Sequence, residues 1–106
     1  MVDHELDELK REFLDEARAK VEEMQSVLLA DEEAGSLERI GYLAHQLKGS
    51  GGSYGYAEIS SNAAEIEKAV ERLDGSAGAL ESARDQLAGY VNGQRSIIEG
   101  AVSELA

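Results

Sequence analysis

Apolar residues recur along this chain at spacings of three and four, interrupted by short polar or glycine-bearing stretches. Leu6, Leu9, Phe13, Ala17, Val21, Met24 and Leu28 fall on one face of a helix expected over residues 4–29. That pattern fades in the charged stretch from Asp31 to Gly35. Ser36 is placed to N-cap a second helix, 36–52, whose apolar stripe is Ile40, Leu43, Ala44 and Leu47. After a Ser-Tyr-Gly-Tyr loop, Ile59, Ala63, Ile66, Val70 and Leu73 mark a third helix over 57–73, which stops at Asp74-Gly75-Ser76. The fourth, 77–104, carries Leu80, Ala83, Leu87, Tyr90, Ile97 or Ile98, Ala101 and Leu105, with Gly93 interrupting it. Each helix has one stripe to bury and the connections are short. An antiparallel up-down four-helix bundle, all-α and one domain over 1–106, buries all four stripes most simply.

Composition narrows the picture. The absence of proline among 106 residues leaves nothing to break long helices, and the absence of cysteine excludes disulfides and thiolate metal sites. No apolar run is long enough to cross a bilayer, and the start, MVDHELDELK, lacks the basic and apolar segments of a signal peptide. A cytoplasmic protein is expected. Its net charge of −12 argues against nucleic acid or an anionic membrane as partner. The distribution of charge says more than its sum. Twelve of the 22 acidic residues lie within the first 33, whereas from Arg39 through Ala57 there is none. A segment cleared of carboxylates suits a site that has to accept further negative charge.

His45 stands in that segment. On a helical wheel with Ile40 at zero, His45 lies about 140° around, away from the core stripe. Gly41, Gly52 and Gly49 fall at about 100°, 120° and 180° on the same wheel. Glycine costs a helix roughly 1 kcal/mol relative to alanine, so glycines around an exposed histidine describe a bare strip that another protein could approach closely. Lys48, one turn on, shares the face. Simpler readings exist for each part. Gly51 and Gly52 suit a helix C-cap, Lys48 suits a helix C-terminus, and His4 reads as an ordinary surface residue.

The run Ala44-His45-Gln46-Leu47-Lys48-Gly49-Ser50-Gly51, followed by Tyr54-Gly55-Tyr56 and Ile59, closely resembles histidine phosphotransfer (HPt) domains of two-component signalling. It is most similar to the phosphotransfer domain at the N-terminus of chemotaxis histidine kinases, and the first helix of this chain, with "EFLDEARAKVEEM", also has that subgroup's character. The resemblance implies that His45 accepts a phosphoryl group and exchanges it with an aspartate of a receiver domain. It also implies that Glu67, 22 residues after His45, hydrogen-bonds and orients the imidazole, and that Lys48 offsets phosphoryl charge. Gly41, Gly49 and Gly52 would leave room for the docking partner. No cofactor or metal is expected in this chain; Mg²⁺ would come with the receiver. The expected partners are a response-regulator receiver and a sensor or hybrid histidine kinase, with the chain itself a monomer. Nothing in the sequence resembles an ATP-binding domain, so the chain reads as a phosphoryl carrier and not an autonomous kinase. Asn62 departs from the pattern, standing where related domains carry an apolar residue. Ser50 reads as a capping or packing residue, and Tyr54 and Tyr56 as packing for the helix turn. The alternative is a non-catalytic helical docking module for receiver or kinase domains using the same glycine face. A metal enzyme built on His4 and His45 lacks any recognisable ligand spacing.

Overall fold

The structure is a computed structural model and describes residues 4–30, 35–73 and 79–105. Its helices are α1 (His4–Leu29), α2 (Ser36–Ser53), α3 (Ala57–Arg72) and α4 (Ala79–Leu105), each within two residues of the expected bounds. Acidic side chains stand in the first turns of α1, α2 and α3, and Arg72 in the last turn of α3, the arrangement that the helix dipole favours. Contacts between the helices give the topology. Arg18 meets Glu99, Glu23 meets Arg39, His45 meets Glu67, and Gln94 reaches the Ile59 carbonyl. Neighbours in the chain therefore run antiparallel, and α4 returns to α1 to close the bundle, which measures 54 × 20 × 18 Å.

All four residues of the α2 stripe are buried, and they meet Ile59, Ala63 and Ile66 from α3 across the core. The other stripes need correction. In α1 the core runs through Leu14, 1% exposed, beside Phe13, because a bundle helix buries a face wider than a single line of residues. Leu6 and Leu9 are 40% and 47% exposed. The tip of the α2–α3 hairpin stops at Phe13, where Tyr54 and Tyr56 stack on its ring with centroids 4.9 and 5.8 Å away. The α1 stripe therefore continues past the helices that would have covered it. In α3 Ala69 is buried where Val70 was expected and Val70 is half-buried. In α4 the buried series is Ala83, Leu87, Val91, Gln94 and Ile98, with Tyr90 and Ile97 beside it. The side chains of His4 and Leu80, and the expected breaks at residues 31–34 and 74–78, lie outside the described residues.

Gln94 is a polar residue wholly inside; its Nε2 donates to the Ile59 carbonyl at 3.1 Å. Gly93 does not break α4. A Cβ there would stand 3.4 Å from Asn62 Nδ2, so the two departures in the sequence face one another across the α3–α4 contact.

Turn chemistry corrects two further expectations. Gly35, at φ 77°, is the N-cap of α2, and Ser36 is the first helical residue, buried in the bundle. At the other end α2 is not capped by Gly51 or Gly52. Gly55, at φ 82°, occupies the left-handed position after Tyr54, with Tyr56 N–H donating to Gly51 O at 2.8 Å and Gly55 N–H to Gly52 O at 3.2 Å. This paired pattern satisfies the last carbonyls of the helix, and the conformation at Gly55 is one that a Cβ disfavours.

Candidate functional site

The α2–α3 seam brings the site together. At Gly51 the backbones approach so closely that a Cβ would lie 3.1 Å from both Ile59 Cγ2 and the Ser60 nitrogen. Beside it Ser60 Oγ donates to the Lys48 carbonyl at 2.8 Å. Two turns further along α3, on the same face as Ser60, Glu67 reaches α2. Its Oε2 lies 2.7 Å from His45 Nδ1 and its Oε1 accepts from Lys48 Nζ at 2.6 Å. One carboxylate thus takes two donors, one on each oxygen.

The three groups differ in exposure. The imidazole is 66% exposed and Lys48 39%, whereas Glu67 is only 18% exposed at the floor of the site. The Lys48 hydrogen bond holds the Glu67 carboxyl below the usual carboxylate range, more than offsetting the effect of its partial burial, with the bond to His45 adding in the same direction. An ionised carboxylate only accepts hydrogen bonds, so a neutral imidazole facing it carries its proton on Nδ1. The lone pair of Nε2 is then on the opposite edge of the ring, at the surface. Such a nitrogen is a nucleophile held in one tautomer by a carboxylate behind it.

The glycines divide into two kinds. Gly49 has nothing within 4 Å of its Cβ position, and Gly52 has only Ser60 Oγ at 3.8 Å; both are exposed. Gly41 is half-buried, its Cβ position 3.3 Å from Val70 Cγ1. It belongs to the α2–α3 seam, so the open strip beside His45 is shorter than the helical wheel implies.

Residues 8–105 match the family model described as the Hpt domain. The chain belongs to the Hpt domain family. No curated protein and no solved structure matches it significantly. Hpt domains serve histidine phosphotransfer in phosphorelays, where they interact with kinases and receiver domains. The four-helix bundle described above is the fold expected of such a domain. No described helix is long and apolar enough to cross a membrane. Among the described residues no three histidine, cysteine or acidic side chains gather as a metal site would require.

The structure brings together His45, Lys48 and Glu67, the three residues singled out in the sequence, and places beside them Ser60, which the sequence did not single out. Its one signal is its position seven residues before Glu67 on α3, which puts both on the α2-facing side. The sequence also could not show that Lys48 is engaged with Glu67.

Proposed function

We propose that this HPt domain takes a phosphoryl group onto Nε2 of His45 and passes it to or from an aspartate of a receiver domain. The observation that carries the reading is the 2.7 Å contact between His45 Nδ1 and Glu67 at an exposed helix face. With an aspartyl phosphate as donor, the Nε2 lone pair attacks phosphorus. The N–P bond forms as the bond from phosphorus to the aspartyl oxygen breaks, and that electron pair stays on the departing carboxylate. No proton has to leave the ring. Nδ1 keeps its hydrogen, the imidazole takes on positive charge, and the Glu67 carboxylate already faces it. In the reverse direction the charged ring is a good leaving group, and it returns to neutral as the phosphoryl group departs.

Lys48, one turn from His45 and partly exposed, offsets charge on the phosphoryl oxygens. Gly49 and Gly52 leave the approach uncovered. Mg²⁺ belongs to the receiver's acidic site, since phosphoryl transfer is served by a metal clamp on the transferring oxygens. A sensor or hybrid kinase loads the carrier, which does not itself use ATP.

The test is incorporation of label from a phosphorylated receiver domain, or from an active hybrid kinase with ATP. Acid-labile, base-stable label on the wild type and none on a fully helical His45→Gln variant is expected. Persistent labelling of that variant overturns the assignment.

A further inference from the structure

The α2–α3 hairpin is shorter than the two helices it packs on, and a groove opens where it ends. Between the hairpin tip, the first turn of α3 and the last turns of α4 lies an open space of about 550 Å³. Tyr56, Ile59, Ile97 and Ala101 give it an apolar lining. Ser96 and Gly100, one turn apart on α4, line it as well, and no neighbouring group stands within 4 Å of the Cβ position of Gly100. A partner's backbone can therefore come close to α4 along this line. At the same end of the bundle Leu6 and Leu9 stand exposed on the face of α1 that buries Phe13.

The rim is acidic. Glu58, in the first turn of α3, and Glu104, near the end of α4, both border the groove and are both exposed. Burial pushes the Tyr56 phenol up, and Glu104 and then Asp7 add to that shift, so negative potential extends to the aromatic part of the lining. No cation is among the described residues that line the groove; Lys10 stands outside it, 6.0 Å from the Tyr56 ring centroid. The groove shares no residue with the surface beside His45, which Glu16, Lys20, Gln46 and Gly49 border.

These features select among occupants. A second copy of this chain, with its net charge of −12, would bring its own Glu58 and Glu104 towards the same pair. Nucleic acid and anionic lipid are repelled likewise. A short helix with one apolar face and Lys or Arg beside it matches both lining and rim. From Ser96 to Glu104 the α4 axis rises about 12 Å, room for roughly two turns of such a helix.

We propose that the α3–α4 groove at the hairpin tip docks a short cationic amphipathic helix of a partner protein. Its apolar face covers Tyr56, Ile97 and Ala101, and its basic side chains meet Glu58 and Glu104. This surface is separate from the phosphotransfer reading and does not depend on it. A helix seated there leaves the imidazole of His45 uncovered, so the domain can be held at one face while it reacts at another.

The probe is a short amidated peptide of Leu, Ala and Lys patterned as an amphipathic helix, compared with a scrambled peptide of the same composition that has no apolar face. On titration into the wild type, amide shifts should gather at Tyr56, Ile97, Gly100 and Ala101 and spare His45 and Gly49. The scrambled peptide should not give that pattern. Gly100→Leu, which fills the groove from open space, should weaken binding about tenfold or more. Glu58→Gln combined with Glu104→Gln should weaken it about fivefold. Glu65→Gln combined with Glu71→Gln, the same change in charge outside the groove, should bind as the wild type does. The proposal is overturned by an absence of shifts at the groove, by equal binding of the scrambled peptide, or by equal losses from the two glutamine pairs. A wild type that sediments as a dimer, made monomeric by Gly100→Leu, would assign the groove to a second copy and overturn it as well.

Discussion

Two seams of the same bundle are made in different ways. Where α2 meets α3, glycines bring backbone against side chain and backbone at Gly41 and Gly51, and polar contacts of 2.6–2.8 Å lock the pair together beside them. Where α1 meets α4, the polar contacts are made by long, partly exposed side chains: Arg18 on Glu99, Gln25 on Asn92 and Arg95 on Gln25. Long side chains can follow a shift of a fraction of an ångström; a Cα against a neighbouring backbone cannot. The closer seam holds His45, Lys48 and Glu67, and the looser one buries the apolar faces of α1 and α4. On the proposed phosphotransfer reading, precision in this fold is concentrated where a nitrogen has to be kept in one tautomer.

The largest expected effect comes from opening the tight seam. Gly51→Val forces a branched side chain against Ile59 and the Ser60 nitrogen and should destabilise the domain by about 2–3 kcal/mol in urea unfolding. Its counterpart Gly49→Ala, in open space on the same helix, should stabilise by up to about 1 kcal/mol. If both changed stability in the same direction, the two kinds of glycine would not exist.

Next comes Glu67→Gln, which keeps the shape and removes the charge behind His45. Loss of a charge-assisted hydrogen bond, worth about 1.5–3 kcal/mol, should slow transfer roughly 10- to 100-fold, read as the single-turnover rate. The same variant tests the pH behaviour. The folded-state carboxyl of Glu67 lies below its unfolded value, so its contribution to stability is complete above the ordinary carboxylate range and is lost as pH falls through the lowered folded value. The stability gap between wild type and Glu67→Gln should therefore close on acidification; a gap that widens would contradict the pairing.

Ser60→Ala is expected to cost about 1 kcal/mol, the usual worth of a neutral hydrogen bond. It should also broaden the tautomer balance of His45 in imidazole nitrogen spectra, which Ser60→Thr should restore. The smallest effect belongs to the loose seam. Arg18→Ala should leave the thermal midpoint and the transfer rate close to wild type, because the Arg18–Glu99 pair is exposed and solvent screens it. A large loss there would erase the contrast between the seams.

Much of this is legible in the residues. Periodicity alone places the four helices; the acid-free run and the glycines point to the face around His45, and the resemblance carried by residues 44–67 supplies the candidate roles of Lys48 and Glu67. What the residues do not carry is distance. A helical wheel gives the direction of Gly41 and nothing about how near Val70 comes, so an interface glycine reads like an open one. Leu6 and Leu9 fit the α1 stripe perfectly, but no periodicity tells where the neighbouring hairpin ends. Gln94 lies in the core with its amide nitrogen donating to a carbonyl on another helix, and Ser60 bonds to the backbone of Lys48. These are tertiary facts, fixed by which helix lies opposite and how close.

The stacking of Tyr54 and Tyr56 on Phe13 has an optical consequence. The chain has no tryptophan, one phenylalanine and four tyrosines, so its near-ultraviolet circular dichroism is a tyrosine and phenylalanine spectrum. Two of those tyrosines and the single phenylalanine sit in one stack that ties the hairpin tip to α1. Detachment of the tip would erase much of that signal while the helical far-ultraviolet bands persisted. The protein thus carries its own label-free reporter of whether the hairpin bearing His45 and Glu67 is seated.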